Sequence, residues 1–215
     1  MPAHPRTDAA SAENGRVPLG FGNLFGSHGD HIGHFYESRE EWKSVLVPFL
    51  HTGLKAGDKC VYFMSAGPAR HELSAGLAAV GIDVERALAS GQLVLDEGKT
   101  DPQEMQDTLG RALDEIGTRF PLLRWGGDMT WCLKKLPTTE QLMEWESHCN
   151  MIDQPRAVFL CQYELSAFLG SVVMDALKTH PLCVVSNAIH QNPYYQEPKA
   201  FLAQLRRRET SRLAP

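Results

Sequence analysis

Short apolar runs recur along this chain, each followed by a stretch of helical periodicity, and that alternation limits the fold more than any other feature. Lys59 to Met64, Gln92 to Leu95, Leu122 to Trp125, Ala157 to Tyr163 and Leu182 to Val185 are apolar almost throughout. A strand with one wet face alternates apolar and polar residues, whereas a near-continuous run is covered on both faces. His31-Ile32-Gly33-His34-Phe35-Tyr36 reads as a further short strand. Helices fill the gaps. The first opens at Ser38 with Glu41 three residues on, a capping box, and runs to Leu54 with Trp42, Val45, Leu46, Phe49 and Leu50 on one face. Pro48 lies inside it and is expected to kink it. Further helices are expected over 69–80, stopped by Gly81, then from Asp101-Pro102, over 138–151, over 166–178 and from Lys199 onward. Strands alternating with helices in this way imply an α/β fold, a mostly parallel sheet with helices on both faces. The periodicity does not fix the strand order.

The run Arg124-Trp125-Gly126-Gly127-Asp128-Met129-Thr130-Trp131 sits at the end of the third-from-last strand and is the first place to expect a binding site. It holds two large aromatic surfaces, a carboxylate, a guanidinium and a Gly pair that permits close backbone approach. Open α/β sheets bind ligands outside the carboxyl ends of their strands.

The bulk numbers bound the alternatives. At 215 residues, 43% hydrophobic and 22% charged, the chain has ordinary globular composition. Its formal charge of −5 supplies no general basic field for nucleic acid. No apolar run approaches a membrane span, and the first 20 residues lack a signal-type apolar stretch, so a cytoplasmic protein is expected. Residues 1–27, rich in Ala, Gly, Pro, Asn and Ser, read as a flexible arm, 28–198 as the folded domain and 199–215 as a basic helix and tail. Five scattered cysteines without a CxxC pair read as small buried hydrophobes, not a disulfide framework.

Several catalytic signatures fail. Gly98-Lys99-Thr100 resembles the end of a phosphate-binding P-loop, but the position five before Gly98 is Leu93, not Gly. His28, His31 and His34 would share a face on a helix, but on a strand His31 and His34 point to opposite faces, so no metal site is expected there, with or without Asp128 as a carboxylate ligand. No Gly-x-Ser-x-Gly elbow exists. Cys161 with His180 is a conceivable nucleophile–base pair, but Cys161 sits in a run expected to be buried. Arg206-Arg207-Arg208 reads as a solvated helix end favoured by the helix dipole.

An ordered set of motifs then resembles the MEDS family, the methanogen/methylotroph, DcmR-type sensory domain. His31 to Tyr36 is similar to its opening motif. Pro48-Phe49-Leu50, Gly53-Leu54 and Gly57 to Tyr62 resemble its helix-to-second-strand segment, and Arg124 to Trp131 its Arg-Trp-x-Gly-acid-Met-x-Trp run. Trp145-Glu146 with Asn150, Leu160 to Tyr163, His180-Pro181 and Asn192 to Tyr195 follow at suitable spacing, covering about residues 28–200. The resemblance implies a three-layer RecA/KaiC-like fold without a P-loop, and a sensory role toward small hydrocarbon derivatives. Two departures stand out: Gly33 where the family often has Cys, and Asp128 where its acid is commonly Glu.

On this reading the chain is a non-catalytic sensory or regulatory domain that binds a small organic ligand. It signals to a separate output protein, a kinase or transcription regulator, with no direct nucleic-acid or membrane contact; homo-oligomerisation and any cofactor stay open. Trp125, Trp131 and Tyr163 would supply aromatic walls. His31, Tyr36, Asp128 and His180 would supply polar groups, and Arg124 would pair with Asp128 or an anionic ligand. Glu146 and Asn150, four apart on a helix, would brace a loop. Two alternatives remain. One is a ligand-free adaptor for a kinase or anti-sigma-type partner, gripping through the helix from Lys199 to Arg212. The other is an enzyme using Asp128 or His31.

Overall fold

The computed structural model describes residues 15–136, 138–153, 156–185 and 187–213. Its elements in chain order are β1 (Arg16–Pro18), β2 (Phe25–Ser27), β3 (His31–Tyr36), α1 (Arg39–Ala56), β4 (Lys59–Phe63), α2 (Pro68–Ala79), α3 (Val84–Ala89) and β5 (Leu93–Asp96). There follow α4 (Pro102–Asp114), β6 (Leu123–Asp128), a 3-10 turn (Met129–Trp131), α5 (Cys132–Lys135), α6 (Thr139–Cys149), β7 (Ala157–Glu164), α7 (Gly170–Thr179), β8 (Leu182–Val185), β9 (Ala188–Gln191) and α8 (Pro198–Leu213).

Seven strands form one sheet in the order β5-β4-β6-β7-β3-β8-β9, parallel except for the antiparallel β8–β9 pair. The near-continuous apolar runs are explained by two cores, one on each side. Trp42, Leu46 and Phe49 of α1, Leu73 and Leu77 of α2 and Ala87 of α3 pack against Ile32, Tyr62 and Leu160. Met105 and Leu109 of α4, Leu142 and Trp145 of α6, Ala176 of α7 and Phe201 of α8 pack against Phe63, Trp125 and Phe159. Three layers of this kind are the expected α/β solution. No helix among the described residues is long and apolar enough to cross a membrane.

The expected cap at the start of α1 is present in modified form, its carboxylate reaching the N–H one residue before the N-cap. Ser38 Oγ accepts from Glu41 N, and Glu41 Oε2 accepts from Glu37 N. In this topology the turn after β3 is only Glu37-Ser38, and the helix closes its own N-terminus with a carboxylate. α1 continues through Pro48 as one helix, so the expected break is absent. Proline removes a single N–H, and the buried Leu46, Phe49 and Leu50 around it hold both halves to the sheet.

The expected arm needs correction over its second half. Residues 16–27 form the β1–β2 hairpin, with Val17, Leu19 and Phe21 buried in the α1-side core. The glycines there serve tight geometry. Gly20, at φ 89°, lies against the Pro48 carbonyl where no Cβ fits. Residues 1–14 lie outside the described residues. α8 is not a separate tail either: Phe201 and Leu205 are buried, and Arg208 forks onto Asp175 at 2.8 and 3.1 Å. α3, α5 and β9 are too short for periodicity to reveal.

β6 runs on through Gly126-Gly127-Asp128, beyond the expected end at Trp125. Its neighbours continue to the same register, Phe63 beside Gly127 and Gln162 beside Asp128. Gly126 is required because its α-carbon sits against the Leu160 carbonyl. The close approach expected of the Gly pair is real, but the group approached is the next strand.

Candidate functional site

Strand parity divides the expected site residues between two faces. His31 pairs with Phe159, Gly33 with Cys161 and Phe35 with Tyr163, while Trp125 also pairs with Phe159. These face α4–α8. Tyr36, His34, Arg124 and Asp128 take the alternate positions and face α1. His31 and His34 diverge, as strand geometry requires. His31 and Asp128 also diverge, so they cannot act together as an acid–base pair.

On the α4–α8 side His31, Tyr163 and His180 converge on Glu146, a fully buried carboxylate projecting from α6. Tyr163 OH donates to Glu146 Oε1 at 2.5 Å. His31 Nε2 lies 3.1 Å from Oε2, Cys161 Sγ donates to the same oxygen at 3.3 Å, and His180 Nε2 stands 3.7 Å away. The second ring nitrogens are held from behind. His31 Nδ1 faces Asn150 Oδ1 at 3.2 Å, and His180 Nδ1 donates to the Ala176 carbonyl at 2.7 Å. Asn150 is oriented by donating its amide to the Glu146 and Thr179 carbonyls. Both His31 nitrogens thus face polar partners, Asn150 Oδ1 on one side and Glu146 and Cys161 on the other.

The electrostatics follow from burial. Burial pushes the Glu146 carboxyl up, but His180, His31 and Tyr163 outweigh it and hold it at about 2. Burial, with the neighbouring His31, pushes His180 down to about 4. His180 is therefore neutral near pH 7, its approach to Glu146 is not an ion pair there, and His31 and Tyr163 carry the carboxylate. Burial and then Glu146 push the Cys161 thiol well above its ordinary value, so it is not a ready nucleophile for His180.

The other expected residues have different surroundings. Arg124 does not pair with Asp128. It is buried on the α1 side, with Nε donating to Asp58 at 2.8 Å and its other nitrogens to the Phe49 and Pro18 carbonyls. Asp128 instead accepts from Tyr36 OH at 3.0 Å and from Thr130. Burial raises its pKa against those bonds, and Arg39 stands 3.6 Å away. Trp125 and Trp131 are core. Trp125 packs on Phe63 and Trp145, and Trp131 covers Gly98, where no Cβ fits.

The helix that supplies Glu146 also borders an apolar groove of about 300 Å³ between α4 and α6. Leu109, Leu113, Trp145, Cys149 and Ile152 line it, with Gln106 and His148 as its polar groups. A cleft of about 630 Å³ lies between the end of α1 and α3, bordered by Lys55, Arg86 and Arg119, with none of the converging groups. Glu146 does more than brace a loop, and nothing local in sequence reveals it, because its partners come from β3, β7 and the end of α7. The groove has no local signature, since α4 and α6 are 24 residues apart at their nearest ends.

Comparison with known proteins agrees with this architecture. Residues 30–181 match the family described as the methanogen/methylotroph, DcmR sensory domain. The transcriptional repressor DcmR of Methylorubrum extorquens is 32% identical over 154 residues, 70% of this chain. The match spans 58% of that repressor's own length. A KaiC-like protein from Pyrococcus horikoshii superposes with a TM-score of 0.59 at 12% identity, over 84% of this chain and 90% of the other. An uncharacterised P. horikoshii protein, solved with an unknown peptide, gives 0.56 at 14% identity over 76% and 82%. These two likenesses show a RecA/KaiC-like fold. With the family match spanning β3 to the end of α7, the chain belongs to the methanogen/methylotroph, DcmR-type sensory domain (MEDS) family.

Proposed function

We propose that this chain is a regulatory sensor that binds a small, mainly apolar organic molecule in the groove between α4 and α6. It passes its state to an output protein, a kinase or a transcription regulator. The observation that carries this reading is the groove itself. A cavity of about 300 Å³ walled by Leu109, Leu113, Trp145, Cys149 and Ile152, with two polar groups at hand, has the size and lining of a small-molecule site. Membership of a sensory family and likeness to a transcriptional repressor support a regulatory role. The self-capped turn after β3, with no glycines, argues against a nucleotide phosphate at that helix start.

Coupling runs through α6. Trp145 and Cys149 touch the groove, while Glu146 and Asn150 on the same helix hold His31, Tyr163 and the end of α7. A ligand that shifts α6 strains that buried set, and with it the packing of α7 and α8.

Thermal unfolding with small ketones, alcohols and halocarbons tests this. Gly110 is the useful variant, because a side chain added there meets open space. One ligand class should stabilise the wild type, by about 2.7 kcal/mol at a hundredfold excess over Kd, and leave Gly110→Leu unmoved. Equal stabilisation of both proteins, or of neither, overturns the assignment.

A further inference from the structure

We propose that His31, Glu146, Cys161 and His180 form a closed, four-coordinate binding site for one zinc-like divalent metal ion. This goes beyond the groove and does not depend on it.

The donors are two imidazole nitrogens, one sulfur and one carboxylate oxygen, all buried, with every donor atom within 4.8 Å of the others. Nitrogen, sulfur and oxygen ligands of this kind suit tetrahedral zinc, with bonds of about 2.0–2.3 Å. In a tetrahedron such bonds place ligand atoms roughly 3.3–3.8 Å apart. The measured separations are 3.1 Å for His31–Glu146, 3.4 Å for His31–Cys161, 3.3 Å for Cys161–Glu146 and 3.7 Å for His180–Glu146. Three of these fall in that range and one lies just below it, and the two remaining pairs, His31–His180 and Cys161–His180, lie within 4.8 Å.

A second observation points the same way. His180 Nε2 is fully buried, faces the cluster and has no hydrogen-bond partner. Its Nδ1 proton is committed to the Ala176 carbonyl, so Nε2 presents a bare lone pair. His31 is held alike, with Nδ1 toward Asn150 Oδ1 and Nε2 inward. Metal-ligating histidines are oriented in this manner, one nitrogen on the metal and the other N–H on a carbonyl or amide oxygen. Tyr163 steadies the non-ligating oxygen of Glu146.

Charge balances as well. The Glu146 carboxylate and a Cys161 thiolate would together balance the two charges of the ion, with both imidazoles bound in their neutral form and the thiol proton released on binding. With four protein ligands and no open position, such a centre is structural or metal-sensing in kind, not hydrolytic.

Cobalt(II) and zinc(II) titration of the chelator-treated full chain tests the site. Metal is added both to the folded chain and during refolding, so that slow entry to a buried site has no bearing on the result. The expected result is one equivalent bound, with a thiolate-to-cobalt charge-transfer band and tetrahedral visible bands, and a higher unfolding temperature. Cys161→Ala should lose the charge-transfer band and bind at least tenfold more weakly, and His180→Gln should also weaken binding. Binding below a tenth of an equivalent under both loading conditions overturns the proposal. So does metal held equally well by the wild type and both variants, because the ion then lies elsewhere.

Discussion

On the α1 side of the sheet, each buried polar group of the central strands has a partner. Arg124 is spent on Asp58 and two carbonyls. Trp42 Nε1 donates to Tyr62 OH, which donates to Gln162 Oε1, and the Gln162 amide donates to His34 Nδ1 and the Trp42 carbonyl. On the α4–α8 side, Glu146 gathers four side chains, yet His180 Nε2 is left with a free lone pair and an apolar groove opens one helical face away. A completed network fixes a fold. Converging groups with unused bonding capacity, beside a cavity, are what a ligand or an ion can exploit. On the function proposed above, the α1 side is scaffold and the α4–α8 side carries the site.

The sharpest way to break that division is to remove one member of the completed network. Arg124→Ala leaves the Asp58 carboxylate buried without its guanidinium and should cost about 3–5 kcal/mol in urea unfolding. A loss below about 1 kcal/mol would show that this pair is not scaffold.

Acid should weaken both faces, because each holds a neutral buried histidine. Burial pushes His34 and His180 down to about 4 from an ordinary 6.5. Above 6.5 neither state holds the proton. Between 6.5 and 4 only the unfolded chain takes it up, so stability falls as pH falls through that window, by up to about 3 kcal/mol per histidine. Glu146, held at about 2 against an ordinary 4.5, adds a further loss as pH falls from 4.5 toward 2. Urea midpoints should decline steeply from pH 6.5 to 4, and a flat profile would contradict buried, neutral imidazoles. Replacing His34 with Gln should remove one share of that slope and leave the His180 share.

Tyr163→Phe removes one charge-assisted bond to Glu146 and should cost about 2 kcal/mol. The same change at Tyr62 strands both the Trp42 N–H and Gln162 Oε1, so chemical denaturation should show Tyr62→Phe as the more damaging. The smallest expected effect has the opposite sign. Gly110→Ala lies in a helix beside open space and should stabilise by about 1 kcal/mol in thermal unfolding.

The division of faces was partly legible in the sequence. Continuous apolar runs gave the sheet and its two covered faces, and period-2 parity separated His31 from His34. The Ser38–Glu41 cap was readable because it is local. The partners of Arg124 were not, since Asp58 lies 66 residues away and meets it only through strand order. Glu146 is one of several polar residues on its helix, and its meaning depends on β3, β7 and α7 arriving beside it. The 16–27 hairpin was masked by glycines that resemble linker composition and in fact serve tight turns against α1.

Backbone amide mapping by NMR, with the most stabilising apolar ligand from the thermal series, tests the assignment of faces most directly. Shifts should concentrate on 106–113 of α4, 145–149 of α6 and the following 150–152, and reach His31 and His180 through the Glu146 set, while α1 to α3 stay still. Shifts centred on Arg39, Tyr36 and Asp128 would contradict it and move the working face to the α1 side.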